Sequence, residues 1–168
     1  MELDMRSHEH DWRRRLPDWP TAVCAGLVAG ALLMVLELMW SASVNGSPWA
    51  ISHQVAAIVM GPETLQSSGF SLGIVAVALA THYVLGVVFG VLLAVIIAGF
   101  HYEHDAVVLQ IIGVVFGAAL YLLNFHAMAT FFPWMAELRG WATFIAHLVF
   151  GLTVVLTYQW LERRGEPA

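Results

Sequence analysis

The chain has 168 residues, of which 60% are apolar and 11% charged, with a mean hydropathy of +0.75 and a formal charge of −5. That composition lies far outside the soluble globular range, and the seven basic residues, all arginine, form no stripe of the kind nucleic acid requires. Cys24 is the single cysteine, so neither an intrachain disulfide nor a thiolate metal cluster can be assembled within one chain.

A helix needs roughly 20 mainly apolar residues to cross the hydrocarbon of a bilayer, where unpaired backbone groups are costly. Four stretches meet that demand: 21–44, 71–99, 106–132 and 138–161. The first opens after an Arg-rich segment and ends on Ser41-Ala42-Ser43, features of a cleaved leader, but its apolar region is too long for one and it reads as an uncleaved span. The only long connection follows it. Ser47-Pro48 there suggests a helix start. Ile51, Val55, Ile58 and Val59 recur on one helical face until Gly61-Pro62, which predicts a short interfacial helix over 48–60 on the periplasmic side. The fold expected is an all-α integral membrane four-helix bundle in one domain, 1–168, facing the lipid bilayer.

Orientation follows from the arginines. Arg6, Arg13, Arg14, Arg15, Arg163 and Arg164 fall on one side of the spans and Arg139 alone on the other, which places both termini in the cytoplasm of a bacterial inner membrane. Trp12, Trp19, Trp49, Trp134, Trp141 and Trp160 lie close to span ends, at the headgroup level their amphipathic rings favour.

The chain also resembles itself. One constant offset aligns Gly26, Val28, Gly30, Ala31, Leu33 and Leu36 with Gly113, Val115, Gly117, Ala118, Leu120 and Leu123, and sets Glu37 opposite Asn124. His82-x-Val84-x-Gly86 likewise matches His147-x-Val149-x-Gly151. Two tandem helical hairpins are therefore expected, pointing the same way across the membrane.

Gly46-Ser47-Pro48-Trp49, Ala56-Ala57-Ile58-Val59-Met60-Gly61, Phe70-Ser71-Leu72-Gly73-Ile74, Phe132-Pro133-Trp134 and Ala146-His147-Leu148-Val149-Phe150-Gly151, with Glu37 and Asn124-Phe125, resemble a family of small bacterial inner-membrane proteins commonly labelled "sodium:proline symporter". The resemblance covers roughly 23–160 and implies a four-span inner-membrane protein. His126 stands where that family's pattern has an aromatic residue. Sodium/solute symport itself demands more spans and broken helices around a midplane site than four short-looped spans provide.

Glu37, His82, Asn124 and His147 are the candidate site. An ionised carboxylate at mid-membrane costs about 2.5–3.5 kcal/mol or more unless it is paired, hydrated or protonated. Gly26, Gly30, Glu37 and Ser41 share one helical face, Ala78, His82, Gly86 and Gly90 another, and Thr143, His147 and Gly151 a third. All four polar side chains should therefore point inward as one layer, with His82 bonding Glu37 and His147 bonding Asn124. No cofactor is expected on that reading; the alternative is that His82 and His147 ligate haem, or that they hold a transition metal together with Glu37. His126, two residues beyond Asn124, should face away. The clusters His8-Glu9-His10-Asp11 and His101-Tyr102-Glu103-His104-Asp105 match no fixed metal spacing and read as solvated segments.

With no phosphate loop, nucleophile elbow or zinc-protease motif, the chain is not expected to be an enzyme. The leading expectation is a non-catalytic accessory subunit docking through its glycine faces and the periplasmic interfacial helix, or by self-association, on other membrane subunits of a respiratory or other electron-transfer complex. The alternatives are the haem or metal protein above and a small conduit for an ion, proton or solute that uses Glu37.

Overall fold

A computed structural model describes residues 16–100 and 106–165; both His/acid clusters, Trp12 and the N-terminal arginines lie outside the described residues. Helix α1 (Trp19–Asn45) begins after Asp18, whose carboxylate accepts the Thr21 hydroxyl and whose N–H donates to the Tyr158 hydroxyl at 3.2 Å. It stops at Gly46, where a φ of 67° suits a residue without Cβ. Helix α2 (Trp49–Met60) follows after Ser47, whose Oγ accepts the Trp49 N–H at 3.3 Å, and ends at Gly61 with φ 99°. Helix α3 (Leu72–Phe100) returns across the bundle. Helix α4 (Ala106–Leu122) passes into a π-helical turn, Leu123–Ala127, and a 3₁₀ turn, Met128–Thr130. A further 3₁₀ turn, Pro133–Leu138, precedes helix α5 (Trp141–Gly165).

Trp19–Val44, Leu72–Gly99, Ala106–Thr130 and Trp141–Arg164 are each long and apolar enough to cross a membrane. Their outer faces carry Val28, Val35, Val84, Val88, Ile111, Val115 and Leu156, all exposed. A helix apolar on every side is stable only in lipid or inside a larger core. The protein is thus an all-α, multi-pass membrane four-helix bundle. The last span starts at Trp141, later than the sequence pattern suggests, because Pro133 directs the preceding residues into a separate 3₁₀ turn.

Two hairpins make the bundle, and the same glycine interlock closes each. An added Cβ on Gly86 would stand 3.0 Å from Gly26 O and 3.3 Å from Gly30 Cα, so α1 and α3 touch backbone to backbone. A Cβ on Gly151 would collide with Gly113 O and stand 3.0 Å from Gly117 N, the equivalent contact between α4 and α5. The equivalence ends there. α1 also packs along α5, whereas the counterpart pair, α3 and α4, scarcely meets. The helices follow the order α3, α1, α5, α4, with a core of Ala22, Ala25, Ala29, Leu93, Val154 and Val155.

Helix α2 closes one end, termed here the α2 end, by packing on α1 and α3. Its most buried side chains are Ile51, Ser52, His53, Ala56 and Ala57, whereas Val59, expected on the apolar face, is exposed. Small side chains settle this contact, since they admit the closest approach of a neighbouring helix.

Gly151→Ala should separate α4 from α5 and cost about 1–3 kcal/mol by overpacking. Gly73→Ala, where nothing lies within 4 Å, should be neutral. Unfolding titrations in mixed micelles distinguish the two, and equal stability of both variants would contradict the interlock.

Candidate functional site

Counted at about 1.5 Å per residue from the α2 end of each helix, Glu37 on α1 lies roughly 12 Å deep, His82 on α3 roughly 15 Å and His147 on α5 roughly 9 Å. Asn124 sits in the π-helical turn. The four side chains line one cavity of about 180 Å³ towards the α2 end. Apart from them the wall is apolar, with Ile51, Val55 and Ile58 of α2 contributing from above and Phe89 and Phe150 from below.

The second hairpin contains the expected polar pair. Asn124 Nδ2 donates to His147 Nε2 at 3.3 Å, and His147 Nδ1 donates to Thr143 O at 2.9 Å. Because a carbonyl oxygen only accepts, this arrangement fixes the neutral Nδ1–H tautomer with its Nε2 lone pair turned to the amide. The ring is 3% exposed and packs edge-on to Phe125 at 5.2 Å between centroids. Both its nitrogens are satisfied.

The first hairpin departs from its counterpart. His82 does not bond Glu37; its Nε2 donates to Gly30 O at 3.0 Å. Packing supplies the reason. A Cβ on Gly117 would strike His147 O, whereas one on the equivalent Gly30 would find its nearest neighbour, Gly86 Cα, at 3.6 Å. The helices of the first hairpin are a little farther apart at this level, which leaves room for an imidazole to reach the Gly30 carbonyl. Glu37 is left with no hydrogen bond or ion pair among the described residues.

Glu37 is also a wall of a second, larger cavity of about 670 Å³ towards the α2 end, between α1 and α5. Trp40, Glu137, Arg139 and Trp141 stand around that outer cavity. Arg139 Nε donates to Phe125 O at 2.7 Å, satisfying a carbonyl of the π-helical turn. The carboxyl group of Glu37 is thus shared between two cavities.

His126 is exposed and meets only the edge of Tyr121, 5.8 Å away, so it takes no part in the layer. Sequence reasoning passed over His53. It is buried in α2, with Nδ1 2.6 Å from Thr64 O and Nε2 2.8 Å from Gly69 O, and thereby holds the α2–α3 connection. Its only signal in the sequence is a histidine on the small-residue face of a short apolar helix. Trp134 Nε1 donates to Gln54 O at 3.1 Å and fastens the second hairpin's turn to the same helix.

Haem ligation through Nε2 would require His147 to give up its Asn124 bond and His82 its Gly30 bond, and the cavity they line is small beside the roughly 300–1,000 Å³ of ordinary ligand pockets. Among the described residues, no three His, Cys, Asp or Glu side chains are grouped so as to hold a metal ion. The donor set therefore fits neither alternative as it stands. Comparison with family models, curated proteins and solved structures gives no match, so every assignment at this site rests on its own geometry.

Asn124→Ala should cost about 0.6–1.7 kcal/mol, the range for interhelical hydrogen bonds in membranes. A double-mutant cycle with His147→Phe should recover most of that as coupling. Zero coupling would show that the two side chains do not interact.

Proposed function

We propose that the protein resides in a bacterial inner membrane with both termini cytoplasmic, and that it binds and passes a small cation or proton at Glu37. One observation carries the reading: an intramembrane carboxyl group without a hydrogen-bond partner among the described residues forms the common wall of two cavities. Intramembrane ionisable groups mark ion or proton paths because their cost is otherwise hard to sustain. The arginine bias sets the orientation, and the outer cavity then faces the periplasm.

An accessory role in a larger electron-transfer complex loses one of the docking surfaces that suggested it, the glycine faces. Gly26, Gly30, Gly86 and Gly90 close α1 on α3, and Gly113, Gly117 and Gly151 close α4 on α5. These faces are occupied within the chain and present no docking surface. The ionisable carboxyl group, rather than the size of the cavity, favours a proton or a small cation as the species passed. The reading involves no bond-making on an organic substrate and no cofactor.

Purified protein in liposomes should dissipate an imposed ion or proton gradient, and Glu37→Gln should abolish the flux while changing stability little, since Glu37 anchors no hydrogen bond. Flux that persists in the Glu37→Gln protein would remove the carboxyl group from the path. A wild type without flux would refute the reading.

A further inference from the structure

We propose that the His82 ring is a two-position proton carrier that moves between the Gly30 carbonyl and the Glu37 carboxyl group, its second position being the one His147 already occupies beside Asn124. The proposal rests on the conduit reading above and names the conducted species as the proton.

The internal repeat supplies the argument. Glu37 corresponds to Asn124, and His82 to His147. In the second hairpin the ring is turned so that Nδ1–H meets the carbonyl four residues back, Thr143 O, and Nε2 meets position 124. In the first hairpin the matching carbonyl belongs to Ala78 and the matching partner is Glu37, yet the ring is turned to Gly30 O. The structure thus contains both ring positions of one hairpin design, each occupied in a different copy. His82 and Glu37 line the same cavity, so the second position opens into space already present. His147 cannot make the reverse move, because the closer approach at Gly117 leaves no gap for a ring.

The groups around the ring are few. Glu37 faces the cavity from α1, His147 from α5 and the uncharged Asn124 from the π-helical turn after α4; α2 contributes only Ile51, Val55 and Ile58. In the inner position His82 is neutral, with Nε2–H donating to Gly30 O. Turned outward, the neutral ring first changes tautomer through a cavity water, which takes the Nε2 proton and returns one to Nδ1; Nδ1–H then donates to Ala78 O and the Nε2 lone pair accepts the proton of a protonated Glu37. The products are a carboxylate and an imidazolium, with no change in the net charge of the pair. On return, Nε2–H again donates to Gly30 O and the Nδ1 proton passes to a water on the far side of the polar layer, restoring the neutral ring. Glu37 regains a proton from water in the outer cavity. One proton has then crossed the layer, and both groups are back in their starting states.

The test reads the tautomers directly, by nitrogen NMR of ¹⁵N-histidine-labelled protein in lipid bilayers, with peaks assigned from His82→Gln and His147→Gln. At alkaline pH the wild type should show opposite tautomers, Nε2–H for His82 and Nδ1–H for His147. Glu37→Asn, which gives the first hairpin the second's residue, should convert His82 to Nδ1–H. In liposomes, His82→Phe should reduce proton flux at least tenfold. His82 remaining Nε2–H in the Glu37→Asn protein would overturn the two-position ring even if His82→Phe fails to fold. Glu37-dependent flux undiminished in His82→Phe would overturn the carrier and leave the conduit reading standing. Wild-type flux carried by sodium and not by protons would overturn the carrier as well.

Discussion

Direct backbone contact at glycine is the constraint on which this bundle depends. In lipid the hydrophobic effect gives helices no reason to associate, so close dispersion contact and interhelical polar bonds must hold them together. Gly86 seated between Gly26 and Gly30, and Gly151 between Gly113 and Gly117, fix the depth of each helix against its partner. Those registers bring the two histidines to the level of the shared cavity. The tightness of each interlock then decides the polar chemistry, since a gap beside Gly30 receives an imidazole and the closed contact at Gly117 excludes one.

The π-helical turn and the α2 end obey a second demand, that no backbone polar group be stranded where water is scarce. The turn holds Asn124 at the cavity, and one of its carbonyls, that of Phe125, is taken up by Arg139 from the following connection. His53 places its ring nitrogens against two carbonyls of the α2–α3 connection, while Trp134 donates to one of α2. Tyr121 accepts the Gly140 N–H at 3.3 Å. Side chains thus complete the irregular backbone at this end, which is why a compact cap can stand over the cavity without regular structure throughout.

Much of this was legible in the chain. Hydropathy marked the four spans because bilayer thickness dictates length, and the constant offset that carries Gly26 to Gly113 and Glu37 to Asn124, with the matching motifs at His82 and His147, revealed the hairpins. Helical phase placed Glu37, His82, Asn124 and His147 on inward faces, and the cavity they share follows from that. It was not legible that His82 would choose Gly30 O over Glu37, because the choice depends on a helix separation differing by a fraction of a side chain. The π-helical turn was hidden for a similar reason: Leu123–Ala127 carries no residue that marks such a turn, and the partner of its freed carbonyl, Arg139, is remote in sequence. A stripe of small residues announces close approach without saying to which helix, so the glycine faces looked available to outside partners.

The contact of α1 with α5 joins the first span to the last, with Asp18 bonded to Tyr158 at its margin. A ribosome delivers these helices in order, and each hairpin can close as soon as its second helix emerges. The cavity cannot. Until α5 leaves the translocon, Glu37 faces lipid or the insertion machinery instead of the wall that His147 and Phe150 provide. Biogenesis therefore passes through an intermediate with an unsheltered intramembrane carboxyl group, and quality control in the membrane has a chemical mark by which to tell an unfinished chain from a finished one.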